Sequence, residues 1–498
     1  MRDVVTAVLE AGARWPVEPA LTGPDGHTLT HAELAGRIRA VAARLRVAGL
    51  APRERMLFSV RPSPDAVVLA LGAVAAGATV VFVDPGAGPE LFARRTELAA
   101  PGWAAAESVL YAAGHPPLRT LARRRGLLLP DYGALPVQHV RAGRWLPGVP
   151  RGALALSELQ RPGPSFSVAD APDQDAVVVF TSGTTAAPRA VVHTRGSLGA
   201  ALEVLAARCA LGPGTRVHTD QFLLGLPALV GGGHWSLPPH GFAPGAAPEQ
   251  IARGLAGATH TFLVPADLAA LLDTGASPAG LQQVLLGAAP VLPSLLERAT
   301  AAWPDVEFLA VYGMTEILPV AIATAAEKLA HTGSGDLVGA PLPGVSARVG
   351  PGGELLVRGP NLARAYLGGP VLSEHATGDL ARLDDGRIVL LGRATDMIIR
   401  GRVNIYPGLY EPAIARLPGV ADAVLVGVPD EIGDERVVLA VVPEPGADDV
   451  VPRVRERLPE VMDAGALPDD IVVLDGIPTV GRTRKPDRAE VARRCASR

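Results

Sequence analysis

The sequence predicts an α/β protein. Its large N-terminal part is built of layered, mostly parallel sheets plus a small antiparallel sheet or barrel, and a small α+β C-terminal domain follows. Three observations carry this. Strand-like and helix-like segments alternate to beyond residue 320, the pattern of crossover connections between parallel strands. From about 341 to 392 the texture changes to short strands separated by Gly, Asp and Pro. After Arg393 a strand, a helix and two long strands fit a compact domain of roughly 100 residues.

The elements follow in order. Residues 28–49 (TLTHAELAGRIRAVAARLRVAG) carry helical apolar spacing, and Arg55–Val60 reads as a strand. Ala66–Val83 carries no charge and approaches the length of a membrane span. Gly72 and Gly77 interrupt it, and its character changes midway. Ala66–Ala76 is predicted as a buried helix and Ala78–Val83 as a buried strand ended by Asp84-Pro85-Gly86, so no membrane span is expected. Dense Pro and Gly at 143–152 and 162–173 predict loops. Ser346–Val349, Glu354–Val357 and Ile388–Leu391 are the short antiparallel strands. Beyond them come strand Met397–Arg400, helix Leu409–Leu417 and strands Ala423–Val428 and Val437–Val442. The boundary is placed at 392/393, giving domains 1–392 and 393–498.

Length and composition agree. At roughly 100–200 residues per domain, 498 residues make two to four domains or subdomains. With 48% hydrophobic and 19% charged residues the chain can fill large cores. A net charge of −4 gives no electrostatic case for nucleic acid or an anionic membrane. The two cysteines, Cys209 and Cys495, match no metal spacing and build no disulfide framework. A reducing cytoplasm is expected, and the N-terminus shows no signal-peptide pattern. Lysine occurs only at Lys328 and Lys485, arginine having replaced it elsewhere, so a surviving lysine is informative.

The chemistry concentrates at 177–193, VVVFTSGTTAAPRAVVH. An apolar strand ends abruptly in Thr181-Ser182-Gly183-Thr184-Thr185. Backbone N–H groups and hydroxyls of such a turn can wrap a phosphate, although a bare Ser/Thr/Gly cluster is more often an ordinary polar hairpin turn. This segment resembles the phosphate-binding loop of the class I adenylate-forming superfamily, which comprises acyl-CoA synthetases, peptide-synthetase adenylation domains and luciferases. Further segments resemble that superfamily in the right order. Gly287-Ala288-Ala289-Pro290 looks like its adenine-contacting turn and Tyr312-Gly313-Met314-Thr315-Glu316 like its YGxTE motif. Thr377-Gly378-Asp379 matches its ribose-binding TGD, GRATDMIIRGRVNIYPG (392–408) its hinge, and GRTRKPDR (481–488) its terminal lysine segment.

The resemblance implies an ATP- and Mg²⁺-dependent enzyme that activates a small carboxylic acid as its adenylate and hands the acyl group to CoA or a carrier protein. It assigns Thr181, Ser182, Gly183, Thr184, Thr185 and Arg189 to the pyrophosphate side of ATP, Thr315 to the α-phosphate and Glu316 to the metal. Tyr312, beside Gly313, would stack near adenine, while Asp379 and Arg393 would reach the ribose. Lys485 would stabilise charge growing on the α-phosphate and the substrate carboxylate. His193 and His234 have no such role and read as structural or pocket residues.

Departures from the pattern are Ala186, Arg189 and Ala190 in the phosphate loop, Thr395 at the hinge and Arg402 in the usual glycine pair. They leave the first half-reaction intact and bear on the CoA-dependent second half. The acyl pocket is expected from Asp220, Gln221, Phe222, Leu224, Gly232, Gly233 and Ala288, an apolar stretch suited to an aliphatic or aromatic acid. Asp220, thirteen residues before Gly233, also keeps an amino acid open as substrate. The stretch GAVAAGATVVFVDPGAGPELFARRTELAAP and the extended YGMTEILPVA are similar to olefin-pathway β-lactone synthetases, in which the substrate's own hydroxyl displaces AMP and no CoA is needed. A non-catalytic nucleotide-binding paralogue is the third reading; retention of Glu316, Asp379, Arg393 and Lys485 argues against it.

Overall fold

The computed structural model describes residues 3–84, 89–115, 118–119, 129–163, 166–181, 189–239, 245–393, 396, 398–400, 403–429, 435–447, 449–462, 464–480 and 485–496. Two large sheets dominate. The first has eight strands, and Arg55–Ser59 lies at its centre between Thr79–Phe82 and Trp103–Glu107, all parallel. Asp175–Phe180 pairs parallel with Thr79–Phe82. Ala190–Thr194 returns antiparallel beside it, and Ala365–Tyr366 pairs antiparallel on the outer side of Ala190–Thr194.

The helix expected at 28–49 is His31–Val47, because Thr28–Thr30 pairs with Pro19–Thr22 as a short strand. Thr30 ends that strand and caps the helix: its side chain accepts from the Glu33 amide, and the Glu33 carboxylate accepts from the Thr30 amide. Ser63 caps the next helix, Pro64–Ala75, with Pro64 in its first turn. Leu69 and Ala73 of this helix are fully buried, as are Val80 and Val81 of the following strand, as the uncharged run requires. No described helix is long and apolar enough to cross a membrane.

The second sheet has thirteen strands. Pro19–Thr22, His234–Ser236, Arg216–His218, His260–Leu263, Gln283–Leu286 and Glu307–Met314 run parallel. Antiparallel strands then continue the same sheet, from Ile317–Thr324 through Asp336–Pro341, Arg387–Arg393, His375–Asp384 and Glu354–Arg358 to Ser346–Val349. The short strands expected at 341–392 are therefore the antiparallel end of a large sheet. The joint is Asp336–Pro341, which pairs on both edges.

Most buried apolar residues after 393 gather in two clusters of their own, while helix Pro407–Ile414 also packs against strand Arg387–Arg393. Val420–Pro429, Glu435–Pro443 and Asp470–Val473 form a three-stranded sheet. One face, with Leu425 and Leu439, meets helices Pro407–Ile414 and Val450–Val461. The other, with Val424 and Val438, meets helix Arg488–Ala496. Alternating side chains of the central strands thus feed two separate apolar layers.

Candidate active site

The segment of highest sequence interest opens from the end of a buried strand. Phe180 pairs with Ala190, and the Thr181 amide donates to the Arg189 carbonyl at 3.0 Å. The strand pair therefore holds Thr181 and Arg189 side by side at the two ends of the hydroxyl-rich segment. Thr181 is half-buried and Arg189 exposed. Ser182, Gly183, Thr184, Thr185 and Ala186 lie outside the described residues. The Arg189 guanidinium stands over the Tyr366 ring, 5.7 Å from its centroid.

Thr315 and Glu316 form the two-residue turn between Glu307–Met314 and Ile317–Thr324, with Met314 paired to Ile317. Gly313 is dictated by space, since a Cβ there would lie 2.4 Å from Leu318 Cδ1. The Glu316 side chain is buried, and its Oε1 accepts from the Tyr366 hydroxyl at 2.8 Å. Burial, reinforced by the hydrogen bond to the Glu316 carboxylate, pushes that hydroxyl up to about 12, so it remains a donor. Among the described residues no group of three or more His, Cys, Asp or Glu side chains could hold a metal. A single buried carboxylate fits Mg²⁺, which commonly takes one or two protein carboxylates and completes its shell with phosphate and water.

Gly287-Ala288-Ala289-Pro290 follows strand Gln283–Leu286. A Cβ on Gly287 would stand 3.1 Å from the Val311 carbonyl and 3.3 Å from the Phe262 ring, so the turn lies tightly against the strand that leads to Tyr312. Ala288 has φ +65°, a left-handed conformation that costs a residue with Cβ roughly 1 kcal/mol or more.

Asp379 is the best-anchored group of the site. Its Oδ2 accepts from the Tyr312 hydroxyl at 2.7 Å, and its Oδ1 pairs with Arg393 Nε at 3.0 Å across the strand pair that sets the two residues opposite one another. Burial and the adjacent carboxylate push the Tyr312 hydroxyl far above the usual tyrosine range, which keeps it protonated. Tyr312, expected to stack near adenine, therefore also orients the expected ribose acceptor. The Asp379 amide donates to Thr377 Oγ1 at 3.0 Å, and the Gly378 amide donates to Glu354 at 2.8 Å.

Lys485 lies on a two-stranded ribbon with Thr479–Val480 and reaches the same region. It keeps solvent contact, yet partial burial and the nearby Arg393 guanidinium pull its ammonium below the usual lysine range, opposed by Asp379 and Asp396. Three residues on, Arg488 is clamped to both Glu411 oxygens at 2.6 and 2.7 Å, to the Leu425 carbonyl at 2.7 Å and to Asp396 at 3.1 Å. The lysine-bearing segment is thereby tied to residues near the expected hinge. Thr395 itself lies outside the described residues.

The expected acyl pocket divides. Asp220, Gln221 and Phe222 follow the C-terminal end of strand Arg216–His218, the end at which α/β sheets bind ligands. Asp220 is exposed, and its Oδ1 accepts from the side-chain Nε2 of Gln221 at 2.9 Å. Phe222 packs edge-on against Trp235 at 5.6 Å and leans on Phe82 at 6.0 Å. The Leu224 side chain lies outside the described set. Gly232 and Gly233 do not join this group. They end helix Phe222–Gly231, about 15 Å of helix from Phe222, at the opposite end of the strands. Gly232 (φ +86°) is the helix cap, where a Cβ would strike the Trp15 ring at 2.4 Å, and one on Gly233 would meet Thr215 Oγ1 at 2.5 Å. Both glycines are explained by packing.

Sequence reasoning missed Tyr366, the partner of Glu316, and His375. Burial lowers the His375 imidazole while Glu316, Glu354 and Asp379 act on it in the opposite sense. It also left His193 without a partner, whereas His193 Nε2 lies 2.7 Å from the Thr315 carbonyl. No local pattern marks these residues, because each contact joins strands far apart in sequence. His234 is structural, its Nε2 lying 2.6 Å from Thr22 Oγ1.

Residues 8–367 match the family model for the AMP-binding enzyme, and residues 410–485 match that for the AMP-binding enzyme C-terminal domain. The sulfoacetate–CoA ligase of Cupriavidus necator is 29% identical, the match covering 88% of this chain and 88% of that protein. The feruloyl-CoA synthase of an Amycolatopsis species is 29% identical over 96% of this chain and 98% of its own. The solved amide bond synthetase McbA from Marinactinospora thermotolerans superposes with a TM-score of 0.82 at 25% identity, covering 99% of each chain. The chain is a member of the AMP-binding enzyme family, within the class I adenylate-forming superfamily, and is an AMP-forming acid ligase.

Proposed function

We propose that this ligase joins a carboxylic acid to AMP, releases pyrophosphate, and passes the acyl group to the thiol of CoA or of a carrier protein. The carrying observation is the fixed Asp379 carboxylate, held by Tyr312 and Arg393, with the Lys485 ammonium in its field. Ribose hydroxyls donate to Asp379, whose oxygens retain lone pairs after those two contacts. Thr181 to Thr185 and Arg189 hold the β- and γ-phosphates, and the turn at 287–290 meets adenine. Thr315 contacts the α-phosphate. A substrate carboxylate oxygen attacks the α-phosphorus, the bond to pyrophosphate breaks, and Lys485 offsets the negative charge gathering there. Mg²⁺ at Glu316 supplies charge neutralisation of the phosphates and orientation of the leaving group. Residues 1–392 and 393–498 act as two domains in this scheme, and the buried free cysteines suit a reducing cytoplasm.

The acid binds beside Asp220, Gln221 and Phe222, and Ala288 is assigned to the same pocket. The half-buried Phe222 ring, backed by the buried Trp235, favours an apolar acid. A second reading replaces the thiol by another nucleophile. Likeness to an amide bond synthetase supports an amine, and the β-lactone synthetase-like segments support the substrate's own hydroxyl.

Mass spectrometry of products decides among them. The enzyme is incubated with ATP, Mg²⁺ and a panel of fatty, β-hydroxy, aromatic and amino acids, with CoA, with an amine, or with neither. The proposal expects AMP and a thioester only when CoA is present. An amide, or loss of water from a β-hydroxy acid without CoA, selects the second reading. Lys485→Ala is expected to lower adenylate formation by about a hundredfold or more while ATP still binds. Near-normal adenylation would remove Lys485 from its role.

A further inference from the structure

We propose that His193 is a positioning residue for adenylation, holding the Thr315–Glu316 turn through the Thr315 carbonyl. The proposal rests on the roles given above to Thr315 and Glu316, and it adds what keeps them in place.

His193 lies on Ala190–Thr194, the strand that leaves the phosphate loop. A carbonyl oxygen only accepts, so the 2.7 Å contact with Thr315 requires the proton on His193 Nε2. Nδ1 is then the bare nitrogen, and Ser197 Oγ lies 3.2 Å from it, its one proton shared between Nδ1 and the Thr194 carbonyl, also at 3.2 Å. Ser197 is itself fixed: its Oγ accepts from the Thr194 amide at 3.0 Å, and its amide donates to Thr194 Oγ1 at 3.0 Å. That reciprocal cap starts helix Arg195–Arg208, so the imidazole rests on a helix terminus with its tautomer set. The ring is deeply buried, and burial holds it below the usual histidine range, hence neutral.

The same strand also governs the other half of the turn. Ala365–Tyr366 pairs with it, Tyr366 opposite Val191, and Tyr366 donates its hydroxyl to Glu316. The Ala363 amide, just before this pair, donates to the Glu316 carbonyl at 2.7 Å. Thr315 is therefore held from the strand through His193, and Glu316 from the strand's neighbour. The loop expected to carry pyrophosphate, the α-phosphate contact and the metal carboxylate all hang on one strand. A displacement of about 1 Å at reacting groups can cost about a hundredfold in rate.

Two variants of the full chain test this. His193→Leu fills the space without a donor, and His193→Gln keeps an N–H that reaches the same carbonyl. The expected result is ATP–pyrophosphate exchange with kcat lowered about 10- to 100-fold in His193→Leu, ATP affinity within about threefold of wild type, and most of the rate recovered in His193→Gln. A wild-type rate in His193→Leu, or equal loss in both variants at unchanged melting temperature, would overturn the proposal. Hydrogen–deuterium exchange of the peptide spanning 312–320 provides a readout that needs no substrate. It is expected to speed up in His193→Leu and not in His193→Gln, and wild-type exchange in both would also overturn it. If the wild-type protein activates no acid, the proposed function fails, while the exchange measurement still decides the role of His193 in holding the turn.

Discussion

Replacing Arg195 by Met removes one half of an ion pair that is almost entirely buried. Arg195 Nη2 lies 2.6 Å from Asp3 Oδ2, with the two side chains 2% and 0% exposed. Losing one member of such a pair typically costs about 3–5 kcal/mol, because the remaining charge stays buried and unpaired. Here Asp3 keeps the amides of Val5 and Ala171 at 2.8 and 2.9 Å, which places the expected loss near the lower end, about 3 kcal/mol. Arg195 also donates to Gln174 and to the Ala169 carbonyl, so the variant frees those acceptors as well. A chain with several separate cores does not unfold as a single unit, so global denaturation is a poor assay. Amide hydrogen exchange in helix Val4–Arg14 reads the local loss directly. About 3 kcal/mol corresponds to exchange faster by about a hundredfold. Adding Asp3→Asn to Arg195→Met removes the stranded charge, and the double variant is expected to recover about 1 kcal/mol or more relative to additivity. Exchange within threefold of wild type in Arg195→Met, or strictly additive losses, would refute the reasoning.

Three further outcomes are expected. Asp379→Asn removes the charge that accepts from Tyr312 and, in the proposed reaction, from ribose, so the Kd for ATP measured by calorimetry is expected to rise about 10- to 100-fold; an unchanged Kd removes Asp379 from the site. Lys485 starts below the usual lysine range, so its charge is lost as pH rises through a value under 10.5. The alkaline limb of kcat/KM for adenylation therefore falls below pH 10.5 and shifts upward in Lys485→Arg, and a limb at 10.5 or higher in the wild type contradicts this. Burial, helped by Arg216, pushes His218 down to about 4, so stability is complete above the unfolded value near 6.5 and is lost as pH falls from 6.5 toward 4. That single group contributes about 3 kcal/mol, so amide-exchange protection of strand Arg216–His218, corrected for intrinsic rates, falls between pH 7 and 4.5, and His218→Asn flattens the fall; an equal fall in both proteins counts against it.

Much of this was legible in the sequence because local physics wrote it there. A buried strand that must end leaves an apolar run cut off by hydroxyls and glycine, and a helix that must start at residue 31 leaves Thr30 and Glu33 three apart. The antiparallel strands after 341 were legible, but their place was not. Joining the end of a thirteen-stranded sheet depends on the Asp336–Pro341 strand, whose pairing partners lie on both sides of it in sequence. Gly232 and Gly233 misled because a glycine opened for packing reads the same as one opened for a ligand; Trp15, over two hundred residues earlier, is what requires Gly232. The two surviving lysines separate in the same way. Lys328 is buried and pairs with Asp336 and the Leu337 carbonyl, a structural use of its charge, while Lys485 stands at the nucleotide-binding candidate. Scarcity flagged both, and only the surrounding segment GRTRKPDR distinguished them.

The distribution of charge at the site ties ATP binding to the position of the lysine segment. Arg393 draws on Asp379 at 3.0 Å and, by its nearness, opposes Lys485. Arg393 and Lys485 both lie in the field of Asp379, with Asp396 also acting on the lysine, and burial together with Arg393 holds the ammonium below its usual range. A triphosphate placed there reverses the sign of the local field, so a group whose charge burial disfavours becomes one whose charge is favoured. In the proposed reaction the nucleotide thus recruits the cation it needs, and by reciprocity a protein that holds Lys485 in place binds ATP more tightly. Arg488, clamped to Glu411 and to Asp396, is what holds that segment before nucleotide arrives. Arg488→Met is therefore expected to weaken ATP binding through Lys485 alone. Its effect on the Kd should disappear in a Lys485→Ala background, and a full, additive loss there would show that the two residues act independently.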